Sequence, residues 1–82
     1  MIRVEVKTRL SMKEAIERAV RFFGPQGLGL EIKDRDACEI WMEGGGGAVA
    51  VYACKQGRDT RVEVMAREWE AQVPRFVSQL DK

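Results

Sequence analysis

Three turn-forming segments in the middle of the chain separate four short stretches that alternate apolar and polar residues. The segments cover residues 34–36, 44–47 and 56–59, and pairing the strands around each of them gives the same alternation of faces. A slip of one residue at any turn would move an apolar row onto the charged face, so the strand register is strongly specified. The positions predicted to face inward are Leu28, Leu30, Ile32, Cys38, Ile40, Met42, Val49, Val51, Ala53, Val62, Val64 and Ala66.

The segment before these hairpins predicts one strand followed by one helix. Residues 2–9 alternate apolar and charged side chains, as an edge or half-buried strand does. Ser11 and Glu14 form a capping box, which marks the start of a helix. An apolar stripe then runs to Phe23, and the following Gly24 and Pro25 end the helix.

A second helix is predicted at the C-terminal end. Trp69, Val73, Phe76, Val77 and Leu80 recur at helical spacing. A proline at position 74 interrupts this stripe. Because the apolar spacing continues across the proline, the sequence favours one helix kinked near residue 70. The alternative is an irregular lead-in followed by a short helix.

The order of elements predicts an α+β fold, with strands near residues 2–9, 28–33, 37–43, 48–55 and 60–66. Consecutive hairpins make the last four strands an antiparallel meander, and the first strand is expected to pair with the last. Residues 1–82 would then form a single two-layer α+β sandwich, β-α-β-β-β-β-α, with a five-stranded antiparallel sheet in the order 1-5-4-3-2. Both helices are expected on one face.

This element order resembles a single repeat of the TATA-binding-protein-like fold. It also resembles the core of the helix-grip family, which includes the START and polyketide-cyclase-like lipid binders. The resemblance covers the whole chain as a pattern of elements, without a diagnostic motif. For the helix-grip family it implies a ligand cavity between the sheet and the C-terminal helix, although the inserted elements that enlarge such cavities are missing here.

Composition and charge exclude several classes of partner. The formal net charge is +1 and the acidic and basic residues are interspersed, so neither nucleic acid nor an anionic membrane is an expected partner. No apolar run approaches the roughly 20 residues of a membrane span. The first seven residues alternate in the manner of a strand and do not form the apolar core of a signal peptide. A cytoplasmic location is therefore the expectation.

The sequence offers no catalytic constellation, so we expect a non-enzymatic protein without a cofactor. The chain has no histidine, which excludes a Ser-His or Cys-His nucleophile. The glycines at 44–47 precede a strand and not a helix, which indicates a hairpin tip and not a phosphate-binding loop. Glu31 and Glu39 are predicted to lie opposite each other on an open surface, a weak setting for acid–base chemistry.

The two cysteines are predicted to be free thiols. Cys38 is expected to face inward and Cys54 outward, an orientation that disulfide geometry does not tolerate. Their spacing does not fit a metal site either.

The outer face of the predicted sheet carries the candidate interaction site. The register places Gly29, Trp41, Ala50 and Met65 in a line, with Tyr52 diagonal to the tryptophan. Trp41 then either covers the gap above Gly29, anchors a protein–protein contact, or contacts a small molecule. We expect an interface, most simply that of a two-fold homodimer. The alternative function is binding of a small apolar ligand between the sheet and the C-terminal helix.

Overall fold

A computed structural model describes residues 1–80 of the chain and confirms the predicted α+β sandwich. The sheet has the order β1-β5-β4-β3-β2, and all neighbouring strands are antiparallel. The elements are β1 (Ile2–Thr8), α1 (Met12–Phe23), β2 (Glu31–Arg35), β3 (Glu39–Gly44), β4 (Gly47–Gln56), β5 (Asp59–Arg67), a 3₁₀ turn (Glu70–Gln72) and α2 (Val73–Gln79).

Helix α1 begins as its capping box predicts. The Ser11 hydroxyl accepts a hydrogen bond from the Glu14 backbone N–H at 3.1 Å, which satisfies one of the free donors of the first turn. The backbone N–H of Gly24 donates to Val20 O and closes the last turn. The buried stripe of Ala15, Ile16, Ala19 and Phe23 turns this helix toward the sheet.

The hairpins joining β3, β4 and β5 have the predicted register. Ile40 is opposite Val51 and Trp41 is opposite Ala50, while Val51 is also opposite Val64 on the other side. At the β3–β4 turn, Gly45 and Gly46 both have positive φ angles, 60° and 81°, which a two-residue turn of type I′ requires.

The glycine hairpin is also a packing surface for Trp69. The Trp69 indole N–H donates to Gly44 O at 2.8 Å. A Cβ atom at Gly45 would lie 2.7 Å from Trp69 Cζ2, closer than packed carbon atoms approach. The absence of side chains on this turn therefore lets the indole pack directly on the backbone.

The predicted register of the β2–β3 hairpin is wrong. Asp36 forms the turn instead, because its Oδ1 accepts hydrogen bonds from the backbone N–H groups of Cys38 and Glu39, at 2.8 and 3.0 Å. A bulge between Ile32 and Asp34 shifts the pairing further. As a result β2 starts at Glu31, and Ile32 pairs with Met42.

This shift corrects three expectations. Glu31 lies opposite Glu43, and not opposite Glu39. Cys38 precedes β3 and is exposed, so it does not face the core. Leu28 lies outside the strand and is also exposed, with 37% of its surface accessible.

The prediction of one kinked C-terminal helix is also wrong. Residues Glu70–Gln72 form a separate 3₁₀ turn, and α2 starts at Val73 with Pro74 in its first turn. A proline is tolerated there because the first N–H groups of a helix have no intrahelical partner. At the other end, Arg18 Nη1 donates to Gln79 O at 2.7 Å, and the buried Thr8 hydroxyl donates to Leu80 O.

Both helices pack on the same face of the sheet and enclose one core. The Phe23 and Phe76 rings have centroids 5.3 Å apart and join α1 to α2. The inward side chains of β3, β4 and β5 lie beneath them. The fully buried larger residues are Phe23, Phe76, Leu30, Ile40, Met42, Leu80, Val49, Val51, Val62, Val64 and Val73.

The alternation of faces along β3 predicts that substitutions at neighbouring positions differ strongly in their effect on stability. Ile40→Asp should unfold the domain, because an unpaired carboxylate in the core adds several kcal/mol to the lost apolar burial. Glu39→Gln, one position away on the outer face, should change the free energy of unfolding by less than about 1 kcal/mol. Urea denaturation measures both. A milder effect at position 40 than at position 39 would contradict the register of β3.

Candidate functional site: the open face of the sheet

The face of the sheet opposite the helices carries the candidate site. The strand pairing identifies the residues of this face, because outward and inward side chains alternate along each strand. From β1 to β2 the outward residues are Arg3, Glu5, Lys7; Asp59, Arg61, Glu63, Met65, Arg67; Ala48, Ala50, Tyr52, Cys54, Gln56; Glu39, Trp41, Glu43; and Glu31, Asp34.

Trp41 is held in a defined position on this face. It lies on β3 between the buried Ile40 and Met42, and 38% of its own surface is exposed. The indole Nε1–H donates to the Glu43 carboxylate at 2.5 Å, two residues further along the same face. This charge-assisted hydrogen bond orients the ring along the strand.

The central strand β4 supplies small side chains beside the tryptophan. Ala50 is 1% exposed and Ala48 is 4% exposed, although both lie on the outer face. Alanine methyl groups become this inaccessible when larger neighbours stand above them. Ala50 lies between Trp41 and Met65, so the centre of the face is a shallow apolar trough with raised sides.

The predicted apolar row is present in part. Trp41, Ala50 and Met65 occupy directly paired positions on β3, β4 and β5, and Tyr52 lies two residues from Ala50 along β4. Tyr52 and Met65 are half-buried. We call these four residues the apolar strip.

Gly29, the fifth predicted site residue, does not belong to the strip. It lies before β2, with a φ angle of 94°, and Asp34 takes the position opposite Trp41. A Cβ atom at Gly29 would meet nothing within 4 Å. Trp41 therefore does not cover Gly29, and that interpretation of the tryptophan is wrong.

The balance of charge differs between the two sides of the apolar strip. Outward from β2 and β3 are four carboxylates, those of Glu31, Asp34, Glu39 and Glu43, with the Lys33 ammonium bonded to Glu31. Outward from β1 and β5 are four cations, those of Arg3, Lys7, Arg61 and Arg67, with the three carboxylates of Glu5, Asp59 and Glu63 among them. We call these the acidic half and the basic half of the face.

Each half of the face also contains ion pairs within the chain. Lys33 Nζ lies 2.8 Å from Glu31 Oε1, and this hydrogen bond lowers the pKa of Glu31 and raises the pKa of Lys33. Arg61 Nη1 lies 3.1 Å from Glu5 Oε2, which raises the pKa of the arginine. In the basic half, Arg3 Nε also donates to Glu63 at 2.8 Å.

The separation of charge was not recognised from the sequence, although it follows largely from the strand order 1-5-4-3-2 that the sequence predicted. The position of Asp34 was missed because it depends on the bulge in β2. The sequence pattern at residues 33–35 carries no clear signal for such a bulge.

Both cysteines are free thiols, as predicted, and both are exposed, which was predicted for Cys54 but not for Cys38. Cys54 lies on the outer face opposite Arg61, as predicted, whereas Cys38 lies in the β2–β3 turn region. No group of three or more histidine, cysteine, aspartate or glutamate residues in the described part of the chain is arranged to hold a metal ion. Within the same residues, no helix is long and apolar enough to cross a membrane.

Comparison with known proteins gives no family for this chain. No family model matches the sequence, and no curated protein matches it significantly. The geometry of the open face is therefore the only indication of function.

The positive φ angle of Gly29 predicts the effect of a substitution at this residue. Gly29→Ala should lower the free energy of unfolding by about 1–3 kcal/mol, since a residue with a side chain is strained at a φ angle of 94° even where space is open. Thermal or urea denaturation measures this loss. A stabilised variant would indicate instead that Gly29 occupies an extended strand position, as the sequence pattern suggested.

Proposed function

We propose that this protein is a small non-enzymatic module that associates with a second copy of itself through the open face of its sheet. The observation that carries the proposal is the apolar strip, in which a partly exposed tryptophan lies beside a trough of alanines in the middle of a charged surface. Aromatic side chains and methionine are enriched at the centres of interfaces, with a polar rim around them. The open face has this arrangement.

The size of the face limits the strength of such an association. Five strands about 4.8 Å apart and about seven residues long give a surface of roughly 20 Å in each direction. Its flat area of roughly 400 Å² is about half of the roughly 800 Å² per partner that a standard interface buries. We expect a dissociation constant in the micromolar range.

Trp41 should make the largest single contribution. In a dimer its exposed part would be buried against the partner, and the hydrogen bond to Glu43 already fixes the ring, so little side-chain entropy is lost on association. Truncation of a tryptophan at the centre of an interface commonly costs 2 kcal/mol or more, about thirtyfold in affinity.

The alternative proposal, an apolar ligand between the sheet and α2, has less support. The space in question is occupied by Phe23, Phe76 and Met42, all fully buried. A groove of about 490 Å³ opens beside Leu80 at the end of the sheet, and its lining includes Lys7, Arg9, Glu14 and Asp59. Charged walls of this kind do not suit an apolar ligand. The resemblance to the TATA-binding-protein-like and helix-grip folds stays a prediction.

Substitution of Trp41 tests the association directly. Trp41→Lys should convert a dimer into a monomer, because it removes the apolar anchor and places an ammonium group in the trough. Sedimentation equilibrium at high micromolar concentration should then give the mass of one chain for the variant and two for the parent. Far-ultraviolet dichroism should be similar for both, since the side chain lies outside the core.

Leu28→Lys is the matched control. Leu28 is 37% exposed, nearly the same as Trp41, but it lies in the α1–β2 connection away from the apolar strip. The control variant should remain a dimer. A parent protein that is monomeric at high micromolar concentration would contradict the proposed function, as would a control that dissociates as fully as Trp41→Lys.

A further inference from the structure

The charge pattern of the open face restricts how two copies can meet. When two identical sheets stack face to face with two-fold symmetry, the axis lies in the plane between them. An axis perpendicular to the strands would place each strand against its own copy. The acidic half would then lie on the acidic half of the partner. An axis parallel to the central strand β4 exchanges the sides, so that each acidic half lies on a basic half.

We infer that the second copy binds with its two-fold axis within about 15° of the direction of β4 and above Ala50, which pairs the acidic half of each chain with the basic half of the other. This inference rests on the proposed self-association and specifies its geometry. Complementary charge across an interface fixes orientation and suppresses competing arrangements, because like charges in contact cost several kcal/mol.

The pairing of the strands assigns the residues that meet. Trp41, Ala50 and Met65 occupy one row across β3, β4 and β5, and β3 and β5 are equidistant from the axis. The Trp41 ring of one copy therefore lies over Met65 of the other, on both sides of the axis. Contacts of sulfur with an aromatic ring are favourable. The apolar strip becomes the centre of the interface.

The next row outward from the strip brings charges of opposite sign together. Glu43, Ala48 and Arg67 are paired across the same three strands, so Glu43 of one copy lies over Arg67 of the other. Two strands from the axis, Asp34 likewise lies over Arg3. Stacked sheets cross at about −30°, which tilts the axis by about 15° from β4 and displaces the rows near the axis least, so the Glu43–Arg67 pair is the better aligned of the two.

One pair in this arrangement carries like charges. Glu39 lies over Glu63 of the other copy, in the row that contains Tyr52. Glu63 is already bonded to Arg3 within its own chain, where Arg3 Nε lies 2.8 Å from its carboxylate. The axis perpendicular to the strands would instead place Glu43 over Glu39 of the partner, at two symmetry-related positions, and Asp34 over its own copy.

Charge reversal of the two members of the Glu43–Arg67 pair tests the axis. In a homodimer of Glu43→Arg, the new arginine of each copy lies over Arg67 of the other copy. In a homodimer of Arg67→Glu, the new glutamate of each copy lies over Glu43 of the other. Each variant should dimerise at least about tenfold more weakly than the parent. In a 1:1 mixture of the two variants every pair is again opposite in sign, so the heterodimer should form with nearly parental affinity. Native mass spectrometry distinguishes the species by mass.

Two further variants make the result unambiguous. Glu43→Gln keeps a hydrogen-bond acceptor for the Trp41 indole and introduces no repulsion, so it should remain a dimer. The double variant Glu43→Arg/Arg67→Glu should recover the homodimer, which shows that the single variants failed through charge and not through folding.

The possible failures of the two proposals are distinguishable. A monomeric parent overturns the self-association itself. A dimeric parent that Trp41→Lys dissociates, with no preference for the heterodimer in the mixture, overturns only the inferred axis. A tighter homodimer of Glu43→Arg also overturns it, since that result is expected when the acidic halves face each other.

Discussion

The packing of both helices on one face of the sheet determines what the other face presents. A chain of 82 residues has apolar side chains for one buried layer, and here that layer lies between the sheet and the two helices. Phe23 of α1 and Phe76 of α2 meet above the central strands, with ring centroids 5.3 Å apart. Within residues 1–80, no other element covers the opposite face. Because β4 contributes alanines there, the ring of Trp41 stands above its neighbours as the most prominent apolar group.

Where the hairpin turns are short and rich in glycine, the sequence was sufficient to predict the structure. The β3–β4 and β4–β5 registers, the strand order and the capping box of α1 all have the predicted form. The two-residue turn at Gly45 and Gly46 admits one register, and the alternation of apolar residues on both sides agrees with it. Four of the five predicted site residues therefore lie where the pattern placed them, and Gly29 does not.

The errors arose where a side chain or a proline changed the backbone locally. Asp36 bonds two backbone N–H groups and moves the β2–β3 turn, and the bulge before Asp34 adds a further shift. The apolar stripe around Pro74 fitted one kinked helix and also a 3₁₀ turn followed by a helix. Proline favours the second because it loses no hydrogen bond in a first turn. Periodicity along the chain does not distinguish such alternatives. The charge separation on the open face follows from the predicted strand order except at Asp34, whose outward position depends on the bulge.

A concentration series by NMR tests most directly whether the open face is where two copies meet. Met65 and Met42 form a matched pair, since Met65 lies in the apolar strip and Met42 is fully buried on the inner face. Between about 10 µM and about 1 mM, the range that spans a micromolar dissociation constant, the Met65 methyl and Trp41 indole N–H signals should shift along one dimerisation curve. The Met42 methyl signal should stay nearly constant. Signals of Met65 and Trp41 that do not move, or shifts confined to residues of α1 and α2, would contradict this account.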